Sequence, residues 1–220
     1  MVATTTEAQL SMEEANSGSV SVVIPTYNER ENIDATLDRC STVLRATEYE
    51  YELIVIDDDS PDRTWEFVKE TYRNDRHVRV LRHTEHKGLA PSIRAGFRAA
   101  SMNSVVVIDG DLQHPPKKIL ELLAALERGA DLAIGSRYLQ GGEAENWSRF
   151  RRFAGKRTTE LVKLAVPAAR EVSDPTSGLF AVRRSVIEDV QIEPQGNKIL
   201  LEILSNCKLN RVVEVPYTFQ

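Results

Sequence analysis

Short apolar runs alternate along the chain with longer stretches in which apolar residues recur every three or four positions. Runs at 20–24, 51–56, 78–81, 105–108 and 131–134 predict strands, because they are short, apolar and bounded by turn residues. The stretches between them have helical periodicity. This regular alternation predicts an α/β fold: a mostly parallel, Rossmann-like sheet flanked by helices on both faces.

The pattern is less regular beyond Ser136. Residues 136–146 contain paired glycines and predict a loop. A turn at 174–178, a strand at 179–182, a helix at 198–207 and a strand at 211–219 predict a small C-terminal β-α-β extension. Residues 1–18 have no apolar periodicity and predict a disordered tail, which leaves a folded domain at 19–220.

Composition narrows the class of protein without identifying it. The 220 residues are 41% hydrophobic and 28% charged, as in ordinary soluble proteins, and a net charge of −5 argues against general nucleic-acid binding. Cys40 and Cys207 have no zinc-type spacing and fit a reducing compartment. We find no signal peptide and no apolar run long enough to span a bilayer, so we expect a cytosolic or peripheral chain.

The candidate chemistry is concentrated after the strand at 105–108. Asp109 and Asp111 follow that strand directly, where open α/β sheets bind ligands. Two carboxylates so placed can hold a hard divalent cation, and Gln113 can add a neutral oxygen. An isolated Asp-x-Asp is more often a solvated turn, and the two following prolines can open a helix.

Two earlier strand ends should meet the same edge of a parallel sheet. After the first strand, Tyr27 can stack on a base and Glu29 can accept from a base or ribose, although a lone aromatic is more often packing; Asn28 reads as a helix cap. After the second strand, three adjacent aspartates repel one another, and a ribose is a sensible partner for Asp58. Ser60 and Pro61 then predict the N-cap and first residue of a helix.

Two basic features suggest an anionic ligand. Arg137 follows the fifth strand and its guanidinium suits phosphate. Residues 147–159 contain five cations and no acid, with Trp and Phe at helical spacing. That segment is either a solvated helix face or a surface for anionic lipid or lipid phosphate.

Six segments together resemble one known family. The dolichol-phosphate mannose synthases, above all the archaeal, membrane-anchored type, have similar motifs in the same order. They are inverting nucleotide-sugar glycosyltransferases of glycosyltransferase family 2 with the GT-A fold. The matching segments are Val23–Glu29, Asp57–Thr64, Asp109–Pro116, Gly135–Tyr138, Glu145–Trp147 and Pro175–Gly178.

The resemblance implies a donor site and an acceptor site. The residues implied to hold the guanosine of GDP-mannose are Pro25, Tyr27, Glu29, Ile56 and Asp58. Those implied to hold the diphosphate and a Mg²⁺ or Mn²⁺ ion are Asp109, Gly110, Asp111 and Gln113, with Asp111 and Gln113 nearest the metal. Arg137 and Arg151 would line the phosphate side of the acceptor site and, with Asp111, form the catalytic set.

The implied activity is transfer of mannose to dolichyl phosphate at the cytoplasmic face of a membrane. Gly110 stands where the family commonly has Ala, a loss of one methyl from which we expect little change. Relatives continue beyond the position of Gln220 with an Arg, a Gly-x-Ser-Lys loop and often membrane helices, so we expect the acceptor loop and any anchor to lie outside this sequence.

Two other functions stay open at this point. One is transfer of glucose from UDP-glucose to the same lipid; the other is a non-catalytic nucleotide-binding domain at the membrane surface. A dinucleotide-dependent dehydrogenase is disfavoured because no Gly-x-Gly-x-x-Gly follows the first strand. The sequence does not predict an oligomeric state.

Overall fold

The computed structural model describes residues 18–85, 87–139, 143–144, 163–164, 166–188 and 198–219. The strands in these ranges are β1 (Ser19–Thr26), β2 (Glu50–Asp57), β3 (Val78–Arg82), β4 (Ser104–Val107), β5 (Leu132–Ser136), β6 (Glu143–Ala144), β7 (Phe180–Arg183), β8 (Val212–Pro216) and β9 (Thr218–Phe219). The helices are α1 (Ile33–Arg45), α2 (Thr64–Thr71), α3 (Leu89–Ala99), α4 (Lys118–Glu127), α5 (Arg184–Ile187) and α6 (Ile199–Asn206). A 3₁₀ turn spans Pro167–Ala169.

The described strands form a seven-stranded sheet in the order β3-β2-β1-β4-β7-β5-β8, and β6 pairs with β9 separately. All neighbours in the large sheet are parallel except β7, which runs antiparallel to both β4 and β5. The predicted mostly parallel sheet is therefore confirmed. The C-terminal strands follow the predicted order, and β7 and β8 are built into the main sheet.

Alternate residues of the strands pack into two apolar layers, one on each face of the sheet. On one face, Val22 and Val106 belong to a cluster completed by α1, α2 and α4. On the other face, Val23 and Val107 pack with α3 and α6. Because both faces are covered, the middle of each central strand is a continuous apolar run (Val22–Ile24, Leu53–Ile56 and Val105–Val107), as in the parallel strands of α/β proteins.

A buried carboxylate ties the amino ends of β1, β2 and β3 together. Glu52 accepts hydrogen bonds from the Ser21 hydroxyl (2.6 Å) and from the backbone N–H and hydroxyl of Ser101, both at 2.8 Å. The Arg79 guanidinium lies 2.7 Å from its other oxygen. Burial acts to raise the pKa of Glu52, but these bonds outweigh it and the pKa is lowered. One buried acid with partners for both of its oxygens thus holds β1, β2 and β3 together at this end of the sheet.

The predicted start of the second helix at Ser60 and Pro61 is wrong. α2 begins at Thr64, after Arg63, which adopts a left-handed conformation with φ of 60°. Ser60 does not act as the cap: its hydroxyl oxygen accepts the Asn28 N–H at 3.0 Å, and the hydroxyl donates to Asp57 at 2.6 Å. The capping group is thereby used in contacts with the ends of β1 and β2, and the helix begins later.

The other predicted helices begin and end within a few residues of the expected positions. Among the helices that the structure describes, none combines the length and the apolar character needed to cross a bilayer.

Candidate active site

A cleft of about 260 Å³ opens at the carboxyl edge of the sheet, where β1, β2 and β4 end side by side. Its lining comes from three strand-end loops and from the start of α3. The lining residues are Pro25, Thr26, Tyr27, Glu29, Asp58, Gly88, Leu89, Ser92, Asp109, Gly110 and Asp111. The predicted meeting of acidic turns far apart in sequence is therefore confirmed.

The loop after β1 is held by side chains of the loop after β2. The Asn28 N–H donates to the Ser60 hydroxyl (3.0 Å), and the Glu29 N–H donates to the Thr64 hydroxyl (3.2 Å). Asn28 lies in the left-handed region, with φ of 60°, and the residue preceding α1 is Asn32. The predicted role of Asn28 as a helix cap is therefore wrong. Tyr27 is left 57% exposed at the mouth of the cleft.

Each of the three consecutive aspartates at the end of β2 has its own set of partners. Asp57 is fully buried and accepts from Thr26 and Ser60. Asp58 accepts from the Gly88 N–H at 2.8 Å, and its other oxygen lies 3.3 Å from His83 Nδ1. Asp59 pairs with cations outside the cleft, Arg82 and Lys87. Repulsion in this run is relieved by separation, and only Asp58 faces the cleft.

The two acids after β4 form an electrostatically strained pair. Burial, with the charge of Asp111 as the second cause, raises the pKa of Asp109 to about 7. The charges of Lys198 and Arg137 act in the opposite direction. Burial also raises the pKa of Glu29, and Asp111 adds to that effect. Negative charge is therefore crowded at this rim in a way that a cation would relieve.

The donor set around this pair is made of oxygens. Asp109 and Asp111 offer carboxylates, and the exposed Gln113, which follows them in the same loop, donates its backbone N–H to Asp111 at 3.0 Å. No group of three or more His, Cys, Asp or Glu that could hold a metal occurs in the described part of the chain. Two carboxylates and an amide fit Mg²⁺ or Mn²⁺ bound largely through water and substrate oxygens, and do not fit zinc.

His114 and Gly178 support Asp109, and sequence reasoning assigned neither of them a role. His114 is buried, and its Nδ1 accepts the Asp109 backbone N–H at 3.2 Å. Burial, together with the charge of Arg137, lowers the pKa of His114 to about 3, so the ring is neutral. A methyl group at Gly178 would lie only 2.8 Å from Asp109 Oδ2. The signals that could have found them were the His after the acidic motif and the Pro-Thr-Ser-Gly turn.

Gly110 is packed closely against Thr26 of β1. A methyl group there would lie 2.9 Å from Thr26 Cγ2, closer than side-chain carbons approach without a shift. The Gly110 carbonyl also accepts the Thr36 hydroxyl at 3.0 Å, which ties the loop to α1. An alanine here would therefore require the Thr26 methyl or the acidic loop to shift, and the expectation that glycine in place of alanine changes little stays a prediction.

Arg137 lies at the end of β5 and makes a two-pronged ion pair with Asp174. Its Nε and Nη2 atoms donate to the two Asp174 oxygens at 2.7 and 2.8 Å, and its backbone N–H donates to Oδ2 at 3.2 Å. Burial acts to lower the pKa of Arg137, but these bonds outweigh it and the pKa is raised. The predicted phosphate-binding arginine is therefore permanently charged and held in one orientation.

The remaining predicted site residues lie elsewhere or outside the described ranges. Ile56 is buried in the core layer next to α3 and does not line the cleft. Gln113 likewise lies outside the cleft lining, on the exposed side of its loop. Arg151 and the basic segment at 147–159 fall outside the residues that the structure describes.

Comparison with solved structures supports the fold. Mannosyl-3-phosphoglycerate synthase from Rubrobacter xylanophilus superposes with a TM-score of 0.72 at 17% identity, covering 97% of this chain and 70% of that one. Glucosyl-3-phosphoglycerate synthase from Mycobacterium tuberculosis, in a complex with Mn²⁺, UDP and glucosyl-3-phosphoglycerate, gives 0.64 at 20% identity, covering 100% and 76%. The predicted GT-A architecture is confirmed.

Sequence comparison gives the family. A model described as glycosyl transferase family 2 matches residues 21–191. A dolichol-phosphate mannosyltransferase from Pyrococcus furiosus is 48% identical over 200 residues, which are 91% of this chain and 56% of the relative. A polyprenol monophosphomannose synthase from Mycolicibacterium smegmatis is 33% identical over 90% of this chain and 76% of the relative. The chain thus spans little more than half of the Pyrococcus protein. It belongs to glycosyl transferase family 2, and its sequence places it with the dolichol-phosphate mannose synthases of that family.

Proposed function

We propose that this chain is the catalytic domain of a glycosyltransferase that moves mannose from GDP-mannose to dolichyl phosphate with inversion at the anomeric carbon. The reaction requires Mg²⁺ or Mn²⁺ and yields dolichyl-phosphate mannose. It takes place at the cytoplasmic face of a membrane, on whose surface the chain lies. The names of the Pyrococcus and Mycolicibacterium relatives support the sugar and the class of lipid.

The observation that carries the proposal is the convergence of three strand-end loops on one cleft. Tyr27 is exposed at the mouth of that cleft and offers a stacking surface for a base. Asp58 faces the same cleft, and a carboxylate oxygen can accept from the hydroxyls of a ribose. Asp109 and Asp111 line the same cleft and would face the diphosphate of a bound nucleotide, through a divalent ion. The lining therefore offers a group for the base, the ribose and the diphosphate of a nucleotide.

The acids of the β4 loop supply the place for a cation. Asp109 and Asp111, with Gln113, would hold the divalent ion, which neutralises charge on the departing diphosphate. Their crowded negative charge supports this role, and the Mycobacterium tuberculosis neighbour is described with Mn²⁺ and UDP bound. Gly178 and His114 keep Asp109 in place for that purpose.

The acceptor needs orientation more than activation. The phosphate of a lipid phosphate monoester is ionised at neutral pH, so its oxygen attacks without a general base. Arg137, at the end of β5, would attract and orient that phosphate, together with Arg151 of the basic segment. The same basic segment would contact anionic headgroups at the membrane surface.

Nucleotide titration tests the donor. Calorimetric titration of the protein with GDP and with UDP, each with and without Mn²⁺, should give Mn²⁺-dependent binding and a clear preference for GDP. A preference for UDP would instead support glucose transfer from UDP-glucose. Absence of Mn²⁺-dependent binding of either nucleotide would refute the donor site.

A transfer assay tests the reaction. Radiolabelled mannose should pass from GDP-mannose to dolichyl phosphate in detergent, and Asp111→Ala should reduce the rate at least about a hundredfold, as loss of charge stabilisation at a reacting centre does. Glu121→Ala is the matched control, because Glu121 is an exposed acid of α4 that pairs with Lys118. Nucleotide binding without transfer, with every donor and the longest natural chain, would indicate a non-catalytic domain.

A further inference from the structure

We infer that Asp174 is a positioning residue for the acceptor phosphate, acting through Arg137. The inference deepens the proposed function and rests on it. It concerns the turn before β7, whose aspartate the sequence analysis left without a role. The ligand is the phosphate monoester of a lipid, and the group that recognises it is a guanidinium whose orientation is fixed by the Asp174 carboxylate.

The contact between the two side chains has the geometry that fixes a guanidinium plane. Two nitrogens of Arg137 meet the two oxygens of Asp174 in a fork, at 2.7 and 2.8 Å. Such paired bonds constrain both the position and the tilt of the guanidinium, unlike a single bond to a flexible cation. The Asp174 side chain is fully buried and that of Arg137 is 12% exposed, so water competes little for this contact.

Asp174 is itself held in place by a third strand. Glu214 of β8 accepts the backbone N–H groups of Ser173 and Asp174 at 2.8 and 3.0 Å. The chain of contacts therefore runs from β8 through the turn before β7 to the end of β5, across three neighbouring strands of the sheet. An aspartate anchored in this way is a rigid support for Arg137.

The supported guanidinium lies near the residues that hold Asp109. Its central carbon lies 5.9 Å from the centroid of the Phe219 ring, the Phe219 and His114 rings meet edge-on with centroids 5.5 Å apart, and His114 accepts the Asp109 backbone N–H. A phosphate oxygen attacking a sugar held there must come within reach of the same charge. Asp174 thus determines where the acceptor phosphate is bound, although it does not itself contact the phosphate.

A merely structural role for Asp174 is the competing explanation. Its carbonyl accepts the Ser177 N–H and its carboxylate is near the Thr176 hydroxyl, so it also shapes its own turn. Asp174→Asn separates the two roles, because the amide keeps the size of the side chain and loses the charge that holds Arg137. Asp131→Asn is the matched control: Asp131 accepts the N–H groups of Asn210 and Arg211 at the opposite end of β5.

The experiment is a double-mutant cycle on the full-length natural chain, with dolichyl phosphate varied at saturating GDP-mannose and Mn²⁺. We expect Asp174→Asn to raise the acceptor KM at least about tenfold, the loss typical of a charge-assisted contact, with the GDP Kd within about twofold of wild type. Arg137→Ala should do the same, and the double variant should be no worse than Arg137→Ala alone. Asp131→Asn should leave the acceptor KM unchanged.

Multiplying effects in the double variant, or a fall in kcat with an unchanged acceptor KM, would overturn the inference. If the wild-type chain transfers no sugar, the proposed function fails separately. The cycle is then read by calorimetric binding of a short, water-soluble polyprenyl phosphate in the presence of GDP and Mn²⁺. Weaker binding in Asp174→Asn and no further loss in the double variant would support the inference, and equal binding in all variants or none in the wild type would overturn it.

Discussion

Replacing Gly178 by alanine should disable the metal site while leaving the fold intact. The added methyl would lie 2.8 Å from Asp109 Oδ2, 3.3 Å from Oδ1 and 3.3 Å from His114 Cε1. An ordinary contact of this kind is at least 3.4 Å, so the carboxylate must move by about 0.6 Å. Protein metal sites tolerate deviations of about 0.2 Å in ligand distance, so this displacement takes Asp109 out of the site.

The expected loss of Mn²⁺ affinity is about 10–100-fold, the range seen when groups supporting a metal ligand are removed. The unfolding free energy should fall by about 1–3 kcal/mol, the usual cost of an extra methylene in a packed place. The assay is calorimetric titration of Mn²⁺ in the presence of GDP, with thermal melting of the same samples. Ser177→Ala is the control, because its hydroxyl bonds to Leu179 within the same turn and its loss puts no atom against Asp109. A Mn²⁺ affinity in Gly178→Ala equal to that of the wild type would refute the reasoning, since Mn²⁺ binding would then not depend on the position of the Asp109 carboxylate beside this glycine.

Four further outcomes can be measured. Because the pKa of Asp109 is raised to about 7, the carboxyl holds a proton below pH 7 that Mn²⁺ must displace. The Mn²⁺ affinity should therefore fall up to about tenfold per pH unit below pH 7 and level off above it. This pH dependence should be lost in Asp109→Asn. By the same shift, the metal-free protein should lose stability as the pH rises towards 7, by at most about 1.4 kcal/mol per unit; melting temperatures that rise instead would contradict the assignment. Glu52→Ala should lower the unfolding free energy by about 2–4 kcal/mol in urea without changing the GDP affinity, and a loss under about 1 kcal/mol would mean that the acid is not a structural tie. Cys40, buried and with its pKa raised to about 12 by that burial, should resist thiol reagents in the folded state, whereas the half-buried Cys207 should react first.

The sequence was sufficient to predict the sheet and the edge at which the site lies. Apolar runs that end in acids identify the carboxyl ends of strands, and parallel strands bring those ends together. The direction of β7 was not predictable in this way, because its apolar residues Phe180, Ala181 and Val182 would be buried in either orientation. The hydrophobic pattern encodes burial, and the antiparallel pairing of β7 depends on the path of the chain before it.

The residues that support the site could not be predicted from the sequence, for a different reason. Asp174 is 37 positions from Arg137 in sequence, so their contact exists only once β5 and β7 are neighbours. The delayed start of α2 has a similar cause, since Ser60 has the side chain of a helix cap, but its hydroxyl oxygen accepts the Asn28 N–H of the loop after β1. A contact between distant segments therefore overrides the local capping signal.

The place of β7 in the sheet has a consequence for biosynthesis. β4 is made early and pairs with β1, but its other edge is covered only by β7, which leaves the ribosome more than 70 residues later. At typical elongation rates this interval lasts about 4–15 seconds. During that time the nascent polypeptide carries an unpaired valine-rich edge beside an incomplete centre, so this is the window in which a chaperone would protect the chain best.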